Sequence, residues 1–232
     1  MKLVSSAEMR RLEEAANQAG VSYETMMENA GRSVAELVRA RRPDPDARVL
    51  VLVGPGNNGG DGLALARHLR ALGCVVTVCL CGGSDGLPAD AATNLAVWRG
   101  SGGAILEGPG DELFWSDVAE SVARQPALVV DALLGIGQTR PPSGPIARAV
   151  HLLAGEDLRP PVLALDVPTG LDASTGACYP PCVSADVTVT FGLPKVGLFT
   201  GQGREVAGRI VLASIGLPAV AGLTVTEEVS GG

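Results

Sequence analysis

Apolar residues recur along this chain in two rhythms, and the alternation between them sets the expected architecture. One rhythm is the short unbroken aliphatic run: residues 48–53 (RVLVLV), 75–81 (VVTVCLC), 127–131 (ALVVD), 161–166 (PVLALD) and 185–191 (ADVTVTF), with a shorter run at 104–106. Runs of this length, rich in β-branched residues and leucine, fit strands buried on both faces. The other rhythm spaces apolar residues three and four apart, which marks one face of a helix. It begins with Met9, Leu12, Ala15 and Ala16, introduced by Ser5 and Glu8 at the spacing of a capping box. That helix ends near Gly20, and Ser22 caps a second one whose Met27, Ala30, Val34 and Leu37 share a face before a basic end at 39–43. Further helices are expected at 63–69, 90–99, 112–124 and 144–154, edge strands at 209–213 and 223–226, and a frayed end at 227–232. Strands and helices that alternate in this way require a mostly parallel central sheet with helices on both faces, a three-layer α/β fold. No linker or internal repeat interrupts the pattern, so residues 1–232 are read as one domain.

Composition narrows the function classes. With 232 residues, 46% of them hydrophobic, the chain can bury a full core. The formal net charge of −7 lacks the basic surplus that binding to nucleic acid or anionic membrane requires, so neither is an expected partner. No basic-then-apolar leader opens the chain and no apolar run reaches the length of a membrane span; five cysteines, an odd number, then point to reduced thiols in the cytoplasm. Cys79, Cys81, Cys178 and Cys182 do not have the spacings of zinc modules. His68 and His151 fall inside helices rather than after strands, and no Ser-His-Asp or Cys-His arrangement emerges.

The chemistry gathers after the strands. Residues 54–62, GPGNNGGDG, follow the first strand and are read as a glycine loop leading into a helix, whose free N–H groups suit a phosphate. The Gly54-x-Gly56-x-x-Gly59 spacing fits a dinucleotide fingerprint, but the second strand ends in Cys81-Gly82-Gly83, where a dehydrogenase would carry an acidic ribose hook. In its place the loop carries Asn57, Asn58 and Asp61. Two more strands close on carboxylates, Asp131 and Asp166, followed by loops at 133–141 and 167–172, and Gly192 to Lys195 follow another strand. In a parallel sheet such loops collect along one edge, where ligands bind. Asn58, Asp131 and Thr169 offer an amide, a carboxylate and a hydroxyl from three loops, a hard oxygen set suited to potassium, sodium or magnesium.

Taken together, residues 53–62 (VGPGNNGGDG), 131–137 (DALLGIG), 166–172 (DVPTGLD) and 190–195 (TFGLPK), with 27–31 (MENAG) near the start, resemble the signatures of the NAD(P)H-hydrate epimerase family, the YjeF N-terminal domain, in that family's order. The resemblance implies a Rossmann-like fold and an isomerase that interconverts the R and S epimers of hydrated NADH and NADPH, so that a partner dehydratase can repair the S form. It implies that Asn57, Asn58, Gly59, Gly60 and Asp61, the loop Gly135, Ile136, Gly137, Gln138, Thr139, Arg140 and Pro141, and Asp166 bind the substrate. It implies one potassium ion (K+) per subunit on Asn58, Asp131 and Thr169, and a homodimer. One departure is visible: the family's Pro-Ser-Gly stands here as Pro168-Thr169-Gly170, which keeps the ligating hydroxyl.

Epimerisation by losing and regaining the hydroxyl needs a carboxylate to handle the proton. Asp166 is the first candidate and Asp131 the second, since a cation occupies the latter; Asp166→Asn is expected to keep the fold and lose turnover. Lys195 either neutralises a phosphate or is solvated. The rival reading is a non-catalytic dimerisation and RNA-binding module of the same fold, but such modules would lose polar loop residues and carry a basic surface. The fused form carrying the dehydratase as well needs a longer chain than this one.

Overall fold

The protein is described here from a computed structural model that covers residues 2–41, 46–108, 110–154 and 159–218, and the backbone of 228–229. Its elements run α1 (Ser6–Gln18), α2 (Tyr23–Arg41), β1 (Arg48–Val53), α3 (Asn57–Ala71), β2 (Val75–Leu80), α4 (Ala89–Gly100), β3 (Ala104–Leu106), α5 (Glu112–Ala123), β4 (Leu128–Ala132), α6 (Gly144–Leu153), β5 (Val162–Leu165), β6 (Val187–Phe191), a 3-10 turn (Val196–Phe199), α7 (Gly203–Val206), β7 (Arg209–Ala213) and β8 (Glu228–Val229). The strands form one sheet in the order β3-β2-β1-β4-β5-β6-β7-β8. The first seven in that order are parallel, and β8 adds antiparallel to β7. This is the mostly parallel, Rossmann-like layered fold that the alternation requires.

The side-chain period of two sorts β1 between two cores. Val49, Val51 and Val53 join the residues of α2, α3 and α4 on one face, while Leu50 and Leu52 join those of α5 and α6 on the other. Burial on both faces is why the sequence shows runs and not alternation. α1 adds Met9 and Ala16 to the first of these cores. Ser5 and Glu8 form the expected capping box, and Val4 pairs with Lys195, its N–H donating to the Pro194 carbonyl and its carbonyl accepting from Val196 N–H. That short bridge sets α1 across the loops that follow β5 and β6.

The structure departs from the expectations in three places, and further expectations fall on residues that it does not describe. Helix α3 starts at Asn57, so Asn57 to Gly62 form its first turns and not a loop. Glycine costs a helix about 1 kcal/mol relative to alanine, but here a Cβ on Gly59 would lie 2.1 Å from the Gly54 carbonyl oxygen and one on Gly60 2.5 Å from Met27 Cε. Only bare backbone lets α3 sit this close to β1 and α2. The second departure is the segment after Lys195, which forms the 3-10 turn and α7. The third is β8, which falls at 228–229, within the end expected to fray. Last, the edge strand expected at 223–226 and residues 42–43 of the basic run lie outside the described residues.

Candidate active site

The strand order reverses between β1 and β4, and the loops leaving those two strands part there to open a cavity of about 1130 Å³. Its walls are Pro55 to Asn58 and Asp61 after β1, Leu133 to Ser143 after β4, Asp166, Phe191, and a face of α1 and α2 that includes Arg10, Glu13, Tyr23 and Met27. Gly82, where a ribose-binding acid would stand after β2, instead packs on Pro55; a Cβ there would lie 3.0 Å from the proline ring. The opening lies towards α1 and not over β2.

Asn58 is 7% exposed, and neither its Oδ1 nor its Nδ2 has a hydrogen-bond partner, the only such side chain among the described residues. A buried amide left unpaired costs about 1–3 kcal/mol, so its retention at the cavity wall marks a place for a ligand. Beneath it lies Asp131, fully buried in β4. Its Oδ1 accepts from the Thr169 hydroxyl (2.8 Å) and Leu133 N–H (3.2 Å), and its Oδ2 from Thr169 N–H (2.8 Å). Burial raises its carboxyl to about 6, against the pull of those hydrogen bonds from Thr169 and Leu133. The Thr169 hydroxyl also accepts from Leu134 N–H (3.0 Å). Thus the end of β4 and the loop after β5 are tied together by one aspartate and one threonine.

Asp166 occupies the turn after β5 with φ +66°, a left-handed conformation that aspartate tolerates better than most residues. Its N–H still donates to Val189 of β6, so the turn is pinned as the strand ends. Lys195 is 0% exposed, and its Nζ donates to Asp166 Oδ1 (2.5 Å) and to the Phe191 carbonyl (2.7 Å). Neither a free phosphate ligand nor a solvated lysine describes it. Among the described residues, the hydrogen bonds that the Asp166 carboxyl accepts fall on Oδ1, from Lys195, Phe191 N–H and the Thr190 hydroxyl, and the residue lines the cavity. An Asp166→Asn change therefore strands a buried ammonium, and the expectation of an undisturbed fold has to be revised.

The other sequence candidates divide by position. Asn57, Asn58, Asp61, the whole loop from Gly135 to Pro141 and Asp166 line the cavity; Gly59 and Gly60 do not, and their missing side chains serve packing. Gln138 lies in the wall, but its amide is engaged: Oε1 accepts from Gly170 N–H (3.0 Å) and Nε2 reaches the Leu171 carbonyl (3.5 Å). Asp131 and Thr169 stand behind the wall. Burial, and then the Asp166 and Glu13 charges, hold the Asp61 carboxyl well above the usual carboxylate range. Glu13 was not expected at the site. Burial first, then Asp166, raises its carboxyl to about 7, against Lys195 and Arg10. Its only trace in the sequence is that Arg10 and Glu13 border the apolar stripe of α1 three residues apart. His68 accepts no role here; its Nε2 pairs with Glu28 at 2.9 Å.

Comparison with known proteins places the chain in a family. Residues 23–197 match the family model described as YjeF-related protein N-terminus. Over 222 residues the chain is 38% identical to a protein of Moorella thermoacetica named bifunctional NAD(P)H-hydrate repair enzyme Nnr, covering 94% of this chain and 41% of that protein. The chain thus spans about two fifths of the length of such relatives. It is 35% identical over 215 residues to a Cenarchaeum symbiosum protein named NAD(P)H-hydrate epimerase, covering 93% of this chain and 95% of that one. The crystal structure of yeast ynu0 superposes with a TM-score of 0.81 over 99% of this chain and all of that one at 23% identity, a likeness of fold.

Proposed function

Because the chain belongs to the YjeF-related N-terminal family, we propose that it is an epimerase that interconverts the R and S forms of hydrated NADH and NADPH. The observation that carries this reading is the meeting of sequence-distant polar segments on one cavity, lined by both Asp166 and Asn58 with its unpaired amide. The volume suits a dinucleotide-sized ligand, and the first N–H groups of α3 offer a seat for its diphosphate. Asp166, held at its left-handed turn, takes the proton of the water that adds at the ring carbon.

The oxygen donors fit the implied potassium ion. Asn58 Oδ1 lacks a partner, and the Asp131 carboxyl is buried with hydrogen bonds but no cation against it. Asn58, Asp131 and the Thr169 hydroxyl are the residues that would hold it. There it would supply positive charge close to the substrate's anionic groups.

Relatives are named bifunctional NAD(P)H-hydrate repair enzymes, and a dehydratase that acts on the S form is the functional partner that the proposed epimerisation calls for. A cytoplasmic setting agrees with Cys79, Cys81, Cys178 and Cys182, which form no disulfide among the described residues, and no helix among those residues is long and apolar enough to cross a membrane. A homodimer is the expected assembly, tested by sedimentation. The acidic net charge and the retained polar residues count against the RNA-binding module.

The deciding experiment supplies the R epimer with a dehydratase specific for S. The chain should consume R faster than its spontaneous inversion allows. Consumption at the spontaneous rate defeats the proposal.

A further inference from the structure

Of the carboxyl residues that line the cavity, three act on one another from three elements: Glu13 from α1, Asp61 from the second turn of α3 and Asp166 from the end of β5, while Glu14 and Asp90 line it without joining them. The one fully buried cation beside them, Lys195, is committed to Asp166 Oδ1 and the Phe191 carbonyl. Arg10, one turn back on α1, is the only other cation that acts on Glu13. Asp61 feels both other carboxylates and is opposed by Lys195 alone. An acidic cluster is not in itself a site, but Asn58 opens into the same cavity with both amide atoms buried and unpaired, which independently calls for a ligand there.

The proposed reaction adds a requirement. Inverting a carbon by losing and regaining a hydroxyl needs an acid on the side the hydroxyl leaves and a base on the side where water returns. Asp166 is the member bonded to the lysine, so it suits the base. The acid must come from elsewhere in the wall.

Resting on the epimerase reading, we propose that Glu13 is the proton donor of the reaction, working opposite Asp166, and that Asp61 returns the proton between them. The Glu13 carboxyl passes its proton to the ring hydroxyl. The carbon–oxygen bond breaks, its electron pair leaving on oxygen as water, and the ring nitrogen shares the positive charge left behind. Water adds to the opposite face through an oxygen lone pair, and its surplus proton passes to Asp166. Transfer through Asp61 to Glu13 restores the starting state, with no net proton gained or lost. The position of the Glu13 carboxyl, held up by burial and by Asp166 to about 7, keeps a donor available in neutral solution.

The test compares wild type, Glu13→Gln and Glu13→Asp across pH 5–9 with the R epimer. Wild-type kcat should fall as pH rises through about 7, since the acid form is lost. Glu13→Gln should lower kcat by about 100-fold or more, change KM less than about threefold and abolish that falling limb; Glu13→Asp should restore part of kcat together with the limb. A Glu13→Gln enzyme with wild-type kcat, or with the limb intact, overturns the assignment. A wild type without epimerase activity defeats the reading beneath it, and a second readout then still judges Glu13. In carbon-13 carboxyl titrations the wild type should show a group changing near pH 7 that is absent from Glu13→Gln. Its absence from the wild type at the assigned Glu13 resonance overturns the inference by itself.

Discussion

Replacing Lys195 by methionine removes the only charge bonded to Asp166 while keeping the volume of the side chain. Both partners are buried, the lysine at 1% and the aspartate at 11% side-chain exposure, so water cannot take over the lost contact. Breaking a buried pair from one side costs about 3–5 kcal/mol, because the remaining charge is left without compensation. In urea, with a slope on the order of 2–3 kcal/mol per molar for a chain of this size, the midpoint should fall by roughly 1–2 M. Asp166→Asn, which tolerates the left-handed turn as well as aspartate does, should also destabilise, since it strands the ammonium. The double variant leaves no buried charge of this pair, and its loss should be smaller than the sum of the singles by at least about 2 kcal/mol. Trp98 and Trp115, buried on opposite faces of the sheet, report unfolding by fluorescence, and agreement with circular dichroism checks that the transition is two-state. A Lys195→Met loss under about 1 kcal/mol, or additive singles, would refute the claim that this pair fixes the turn.

Other perturbations follow from the same geometry. Asn58→Ala removes an amide with no partner in the protein, so in potassium-free buffer its melting temperature should equal or exceed that of wild type, while the rise on adding potassium should vanish; a large loss without potassium would show that the amide is already satisfied. Glu13 is raised on folding from its ordinary value of 4.5 to about 7, so the stability it permits is complete below about 4.5 and is lost as pH rises through 7. Glu13→Gln should therefore flatten the decline of the urea midpoint over that window by an amount on the order of 1–3 kcal/mol, and an unchanged slope would contradict the burial of this carboxyl. Gly54→Ala would place a Cβ 1.8 Å from the Leu133 carbonyl oxygen, backbone against backbone; soluble expression should be lost, or stability should fall by more than about 3 kcal/mol.

The strands could be read because each is buried on both faces and so writes an uninterrupted apolar run. The convergence of their loops could be read because parallel strands deliver their ends to one edge. Helix α3 was misjudged at its start, since three glycines argue against a helix until one sees Gly54, Met27 and Ala132 pressed where their side chains would be. Lys195 looked like a surface residue because lysine usually is one; only the fold brings Asp166 to it across 29 residues. Glu13 was invisible because its meaning depends on Val4 pairing beside Lys195, which lays α1 over the cavity, and no spacing within α1 encodes that. The polar residues that announced themselves stand in the strand-following loops or at the start of α3. Those that did not are supplied by elements folded back over them.

The central claim is that this cavity inverts the hydrated ring carbon by losing and regaining its hydroxyl. Incubating the R epimer with the protein in oxygen-18 water, and following both the epimer ratio and the mass of the ring hydroxyl, tests it most directly. Inversion well above the protein-free rate, with one labelled oxygen per inversion, and its loss in the Asp166→Asn/Lys195→Met double variant are the predicted results. Inversion no faster than without protein, or fast inversion that leaves the original oxygen in place, would contradict it.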